Sequence, residues 1–444
     1  MPHPARLLAV VVALALVARA ADAPASNPLP RDWIDPKTGH RVIRLSPDEG
    51  AGSLYFHQRS VTSEGDKVIL RSRQGLVIVD LTKLGTEPIK REFVADTAPI
   101  ALAWRSREAY TLDRATSSLM AVHLDTKARR LVVKLPSQAR GAQFAINCDE
   151  SLLVGIGPDP EGKVVPRTPP PGDPGTGGTL LNQWAAGTPK MLYTVNVKTG
   201  EFKVLHREND WTNHLQCSPT DPQQILFCHE GPWHWVDRTW TIRADGGPAR
   251  LLHERTMNME IQGHEFFSQD GKSVWYDLQT PKSGVFWLAG VELATGRRTW
   301  YHHERSEWSV HYTISYDGKL FAGDGGGPTS VAASQMDGTR LSGANGQWMY
   351  LFRPVMARGK SFSGQRELID VGYFQSERLV DMSNHDYSKD RGVEPNLTFT
   401  PDGKWIIFSG NFHSPRDERR RAITHTYAVE IAKAGGNIST FRPE

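Results

Sequence analysis

One local signal recurs along this 444-residue chain and dictates a repetitive fold. It is a short turn of the form Ser/Thr-x-Asp-Gly-Lys, found at Ser268-Gln269-Asp270-Gly271-Lys272, Ser315-Tyr316-Asp317-Gly318-Lys319 and Thr400-Pro401-Asp402-Gly403-Lys404. Looser copies stand at Ser63-Glu64-Gly65-Asp66-Lys67, Asn147-Cys148-Asp149 and Ser218-Pro219-Thr220-Asp221, and a degenerate one at Arg105-Ser106-Arg107-Glu108. β-rich runs follow most copies, such as Val68-Ile69-Leu70 and Trp405-Ile406-Ile407-Phe408. A second hairpin signal comes later in the unit, as Val195-Asn196-Val197-Lys198-Thr199-Gly200, Val291-Glu292-Leu293-Ala294-Thr295-Gly296 and Val122-His123-Leu124-Asp125-Thr126-Lys127. Two hairpins per unit, spaced by roughly 40–50 residues, predict four-stranded blades, and seven copies predict an all-β, seven-bladed β-propeller of antiparallel blades. No stretch sustains helical periodicity. The content of 40 Gly, 29 Pro and 13 Trp suits turn-rich β structure. The segment Trp33 to Leu45, with its Asp35-Pro36-Lys37-Thr38-Gly39 turn, is expected to lend a strand to the last blade. A loop insertion is expected at 157–190, and an enlarged sixth blade at 327–390.

The first 20 residues read as a targeting signal: Arg6, an apolar run from Leu7 to Val17, then Ala18-Arg19-Ala20 as a small-x-small cleavage site. That run is too short to span a bilayer, and no later stretch qualifies. The expectation is an exported protein, periplasmic or secreted, with residues 21–444 as one domain. Loss of Arg6 and Arg19 takes the formal charge from +3 to +1, without the clustered basic face that nucleic acid demands. Among the three cysteines, Cys217 and Cys228 flank a predicted hairpin; they either pair in an oxidising compartment or remain buried thiols.

The turns also set a register. His264, His311 and Asn396 each stand four residues before one, with His214 and Gln143 placed likewise before theirs. In a propeller the innermost strands line the channel, so these five side chains are expected to ring one mouth. Converging imidazoles suit metal ligation or proton transfer near neutral pH; the alternative is polar side chains satisfying one another around a wet axis. A second cluster is Cys228-His229-Glu230-Gly231-Pro232-Trp233, followed by Asp237-Arg238-Thr239-Trp240. An arginine beside histidines offers a carboxylate a fixed, bidentate cation, unless Arg238 merely pairs with Asp237. Trp233, Trp235 and Trp240 suit either sugar stacking or packing between blades.

These motifs carry a resemblance. Cys228-His229-Glu230-Gly231-Pro232 with Val236-Asp237-x-x-Trp240, Gly263-His264-Glu265-Phe266, and His311 with Gly323-Asp324-Gly325 resemble the oligogalacturonate lyase family. Asp35-Pro36-x-Thr38-Gly39-x-x-Val42-x-Arg44-Leu45 and Phe399-Thr400-Pro401 match it too, in order over nearly the whole mature chain. The resemblance implies a propeller that cleaves short uronate chains by β-elimination, with His264 as base and Arg238 as carboxylate-binding arginine. It implies a divalent ion, manganese as a rule, with His311 among its ligands. His214, His229, Trp233, Gln143 and Arg391 are the candidate substrate contacts. The chain departs from the family at Glu394-Pro395-Asn396, where the family has His-Pro-His, and at Arg391, where it has glutamine. Either Glu394 and Asn396 offer oxygen ligands to a hard ion such as Mn²⁺ or Ca²⁺, or Arg391 neutralises charge without a metal, or His385 supplies the missing imidazole.

Three functions remain open on the sequence: a lyase for oligogalacturonate-type chains, a lyase for another uronate linkage such as one next to glucuronate, and a non-catalytic sugar-binding or scaffold propeller. The oligomeric state is not legible.

Overall fold

The computed structural model describes residues 31–139, 141, 143–170, 178–328, 330–341, 347–357, 368–387, 393–412 and 423–435. The targeting signal expected at residues 1–20, and Arg391, lie outside the described residues. Among the described residues the regular structure is almost wholly β-strand, gathered into six hydrogen-bonded sheets. Three are four-stranded meanders in chain order: Pro99–Leu102 through Arg129–Lys134, Gln143–Ile146 through Phe202–Glu208, and Trp211–Cys217 through Arg250–Leu251. The strands Lys67–Ser72, Gly75–Asp80 and Arg91–Ala95 form a three-stranded sheet, extended at its first edge by bridges from Gly52 to Arg71 and Val61 to Val68. Two further meanders, Ile261–Phe267 through Arg298–His303 and Tyr312–Ile314 through Ile369–Asp381, fuse into eight strands because Arg298–His303 pairs in parallel with Ile369–Asp381. The last sheet joins both ends of the chain: His40–Arg44 pairs with His425–Lys433, setting Val42 opposite Val429.

The recurring turns fold alike because the same atoms close them. At Ser268, Ser315 and Thr400 the hydroxyl donates to the aspartate two residues on, at 2.7, 2.7 and 2.6 Å. That aspartate also accepts the lysine N–H, at 3.1 Å in each case. The intervening glycine turns into the left-handed region, with φ of 68°, 71° and 67°. The second signal closes as a wider loop, Gly200 N–H donating to Asn196 and Gly296 N–H to Glu292 carbonyls, each at 2.8 Å.

Most strands are buried on both faces, so Leu226, Phe227 and Cys228 are all inaccessible although consecutive. The core is divided into clusters, most shared by neighbouring sheets. Leu153 packs with Tyr110, Phe227 with Ile156, and Leu278 with Leu226. Trp405 and Ile407 of the C-terminal strands pack with Val68 and Leu70 near the N-terminus.

One expectation needs correction and one open alternative is decided. The insertion at 157–190 is not a plain loop but carries a helix, Gly178–Ala186, whose weak amphipathicity gave no periodic signal. Cys217 and Cys228 are both free thiols: Cys228 stands opposite Asn213 and Cys217 opposite Ile225, so the hairpin does not bring them face to face. No helix among the described residues is long and apolar enough to cross a membrane.

The turns make separate predictions. At Gly318 an added Cβ meets open space, so Gly318→Ala is expected to cost only the left-handed backbone penalty, about 1–2 kcal/mol. At Gly271 the same atom would lie 2.2 Å from Thr220 Oγ1, and Gly271→Ala should lower the thermal midpoint further. Equal melting temperatures for the two variants would contradict this account of the turns.

Candidate active site

Register brings the histidines together, but bulges aim them. Between the pairs Asn213–Cys228 and Gln216–Leu226 the strand gains a residue, so His214 and Leu215 together face Phe227. The same irregularity leaves Gly263 and His264 opposite Asp277. Such a bulge bends the strand and redirects the side chain. His214 takes φ 49°, a conformation histidine tolerates better than most residues. Gly263 is required by crowding, since a Cβ there would lie 2.6 Å from Asp277 Oδ2. The result is a stack: the His214 and His264 ring centroids lie 5.0 Å apart at 16°, and His311 meets His264 edge-on at 4.4 Å.

Each flanking imidazole is held by a carboxylate. Asp324, inaccessible to water, receives both the His311 backbone N–H at 2.8 Å and Nδ1 at 2.7 Å. This places the proton on Nδ1 and turns the Nε2 lone pair toward Tyr55 Oη at 3.3 Å and Glu394 Oε2 at 3.7 Å. Burial alone would lower the His311 pKa, but Asp324 outweighs it and raises it. His214 Nδ1 lies 3.0 Å from Glu265 Oε1 and 3.1 Å from Arg238 Nη2. The central imidazole differs. No side chain among the described residues hydrogen-bonds the His264 ring, and burial, with His311, His214 and Arg238 nearby, pushes its pKa well below the usual histidine value. It is neutral, with a free ring, at neutral pH.

Arg238 is the largest fully buried side chain and 1 % exposed. Its Nε donates to Glu265 Oε2 and its Nη1 to Glu230 Oε2, both at 3.0 Å. Burial would raise the Glu265 carboxyl, yet Arg238 and His214 hold it at about 2. The guanidinium is therefore spent on two protein carboxylates and His214, which corrects the expectation of an open carboxylate clamp. This cation also occupies one of the two donor groups spaced to hold a metal among the described residues, that of His214, Cys228 and Glu230.

The segment Tyr55-Phe56-His57 closes the cluster. Phe56 stacks on His311 at 4.5 Å and 24°, Tyr55 Oη lies 3.5 Å from His214 Nε2, and the His57 ring lies 5.8 Å from that of His214. Burial, then His214, lowers the His57 pKa to about 3. The sequence reading missed these three residues, which stand six to eight positions before Ser63 and so outside the four-residue register.

The sequence model of the oligogalacturonate lyase family matches residues 30–418. The chain belongs to the oligogalacturonate lyase family. Among curated members, it is 26% identical over 386 residues to an oligogalacturonate lyase of Dickeya dadantii and 24% identical over 390 residues to an oligogalacturonide lyase of Pectobacterium atrosepticum. Each match covers 85% of this chain and 92% of the relative. A solved oligogalacturonate lyase in complex with manganese superposes with a TM-score of 0.66 at 22% identity, covering 90% of this chain and 95% of that one. One from Vibrio parahaemolyticus gives 0.68 at 19%, covering 90% and 96%. Both likenesses concern the fold.

Within this family member, other expected contacts lie apart from the histidine stack. Gln143 bonds the neighbouring strand, its amide nitrogen to Asn213 Oδ1 and its oxygen to the Leu215 N–H at 3.3 Å, so it sets strand register instead of lining a pocket. His229 points the other way from Glu230, its Nε2 lying 2.8 Å from Glu208 Oε2. Trp233 is half-buried and its indole N–H finds no acceptor among the described residues. Asn396 comes close to the stack, but its amide accepts the Phe56 N–H at 3.1 Å and donates to the Glu394 carbonyl at 2.7 Å. His385 is committed to its own loop, with Nε2 2.6 Å from the Val393 carbonyl and Nδ1 accepting the Asn411 N–H.

Removing one partner of a buried ion pair strands the other charge, so Glu265→Leu should destabilise the fold by about 3–5 kcal/mol and Glu265→Gln by less. Because the folded state holds this carboxyl near 2 against an ordinary 4.5, its contribution is complete above pH 4.5 and is lost as pH falls toward 2. Thermal melts across that range should show a shallower acid loss in Glu265→Gln than in the parent protein.

Proposed function

We propose that this chain is a lyase that cleaves oligogalacturonides by β-elimination, and that its sheets form the seven blades of a propeller. Support for seven blades comes from the eight-stranded sheet, which divides into two meanders, and from the core contacts linking the last sheet to the first. The observation that carries the chemistry is His264, a neutral, unbonded imidazole between two imidazoles that carboxylates hold in place.

Elimination needs a base for the weakly acidic C5 proton, and electrostatic help as negative charge spreads into the uronate carboxylate. In our reading His264 takes the proton, the C5–H electron pair forms the C4=C5 double bond, and the bond from C4 to the glycosidic oxygen breaks. The departing oxygen takes a proton from water, leaving an unsaturated uronate and a new chain end, and His264 returns its own proton to solvent. Arg238 acts as a positioning residue, holding His214 and Glu265 and keeping a cation beside the stack.

The donor set suits a divalent cation in one respect. His311 Nε2 and Glu394 Oε2 are 3.7 Å apart, close enough to share one ion, and Asp324 behind His311 gives the usual carboxylate support to a metal-bound imidazole. A divalent cation held there, such as the manganese of the solved relative, would supply Lewis acidity toward the uronate carboxylate. Export through the N-terminal signal would place the enzyme where its oligosaccharide substrate arrives; this part rests on the sequence.

With oligogalacturonides as substrate, the unsaturated product should give a rising ultraviolet absorbance, and His264→Ala should cut its rate by at least about 100-fold. Undiminished elimination by His264→Ala would remove that residue from the role, and turnover of only non-pectic uronate chains would overturn the substrate. Chelator treatment should lower the rate and Mn²⁺ restore it, an effect that His311→Gln abolishes.

A further inference from the structure

A cavity of about 670 Å³ lies not at the histidine stack but beside it, where the inserted helix Gly178–Ala186 and the strand Phe202–Glu208 meet the segment after Glu230. His206, Glu208, Asp210 and His229 share its lining. His229 Nε2 and His206 Nε2 both converge on Glu208 Oε2, at 2.8 and 3.0 Å. Donor atoms of Glu208, Asp210 and His229 all lie within 4.8 Å of one another. Trp240, with its ring 5.0 Å from that of His229, fixes the imidazole plane, and the Thr212 hydroxyl bonds the other Glu208 oxygen.

We infer that this cluster is a second metal site, for a borderline divalent cation of the Zn²⁺ class, with Glu208, Asp210 and His229 as its ligands and His206 supporting Glu208. An imidazole nitrogen beside two carboxylates favours such an ion over Ca²⁺ or Mg²⁺, which prefer all-oxygen shells. The cavity provides the entry path that a buried site needs. The lining carries three carboxylates, Glu208, Asp210 and Asp237; Arg167 answers Asp210 at 2.6 Å and Arg255 answers Asp237 at 3.0 Å. The inserted segment is anchored to the same stretch of chain. Asn209 Nδ2 donates to the Lys163 and Gly187 carbonyls at 2.8 Å each, and a Cβ on Gly231 would lie 2.9 Å from Trp184. A bound ion would therefore pin the insertion against the strand Gln224–Glu230, whose last residue holds Arg238. The site is structural, and it is independent of the lyase reading.

Full-length His311→Gln protein, which removes the metal ligand proposed at the histidine stack from competition, should be stripped with chelator and titrated calorimetrically with Zn²⁺. We expect one ion bound per chain and a raised thermal midpoint. Adding Glu208→Gln or His229→Gln should weaken binding at least tenfold and abolish the thermal shift, with circular dichroism unchanged. Should either double variant fail to fold, His206→Gln, on a half-exposed side chain, takes its place with the same expectation. Absence of Zn²⁺ binding, or binding unaltered in folded variants, would overturn the inference and leave a hydrogen-bonded network only.

Discussion

A guanidinium buried away from water is the constraint on which this site depends. Burying such a charge costs several kcal/mol unless partners surround it, and Arg238 has two carboxylates and an imidazole. Those partners come from three strands in two sheets: Glu230 from Gln224–Glu230, His214 from Trp211–Cys217 and Glu265 from Ile261–Phe267. Satisfying the arginine therefore fixes the sheets against each other at the level where His214 and His264 stack. The cation's electrostatic value to the cavity and its structural value are one interaction, which is why the charge is retained inside.

The same side chain is given different tasks by its neighbours. His311, with Asp324 behind it, keeps its proton on Nδ1 and presents a lone pair. His214 is tied to both a carboxylate and a cation. His264 has neither, and the charges around it oppose protonation. A base must be neutral and free before the reaction, and of the three only His264 combines both. His229, one residue from Glu230, faces the opposite way into a separate carboxylate cluster, because alternation along a strand sends neighbours to different sides.

The repeating turns made most of this legible. A Ser/Thr hydroxyl, an Asp and a Gly at fixed spacing have few ways to close, so the turns fixed both the β class and the register that placed His214, His264 and His311 together. What the register could not convey was direction: Gln143 shares it, yet its amide is absorbed by the adjacent strand, while His214 and His264 turn inward on bulges. Arg238 was correctly singled out but misjudged in availability, since its partners Glu230 and Glu265 were visible as motif residues without any sign that they face one guanidinium. The Tyr55-Phe56-His57 segment was silent because its contacts are with residues hundreds of positions away. The helix Gly178–Ala186 was silent because it has no strongly apolar face to announce it.

Asn396 shows how the shared register position can be filled without an imidazole. It holds the register position of a histidine and takes φ 53°, much as His214 takes 49°. Its backbone N–H turns toward Asp324 at 3.3 Å, so the position still addresses the carboxylate that supports His311. Its side chain, however, accepts the Phe56 N–H, and Phe56 is the ring stacked on His311. A neutral imidazole cannot both accept from one backbone segment and offer a nitrogen to an ion, whereas a carboxamide bridges Phe56 and Glu394 with its two ends. The carboxamide thus acts as a clamp on the segment that encloses the stack instead of offering a ring nitrogen. Glu394 is left, 3.7 Å from His311 Nε2, as the anionic donor facing that nitrogen.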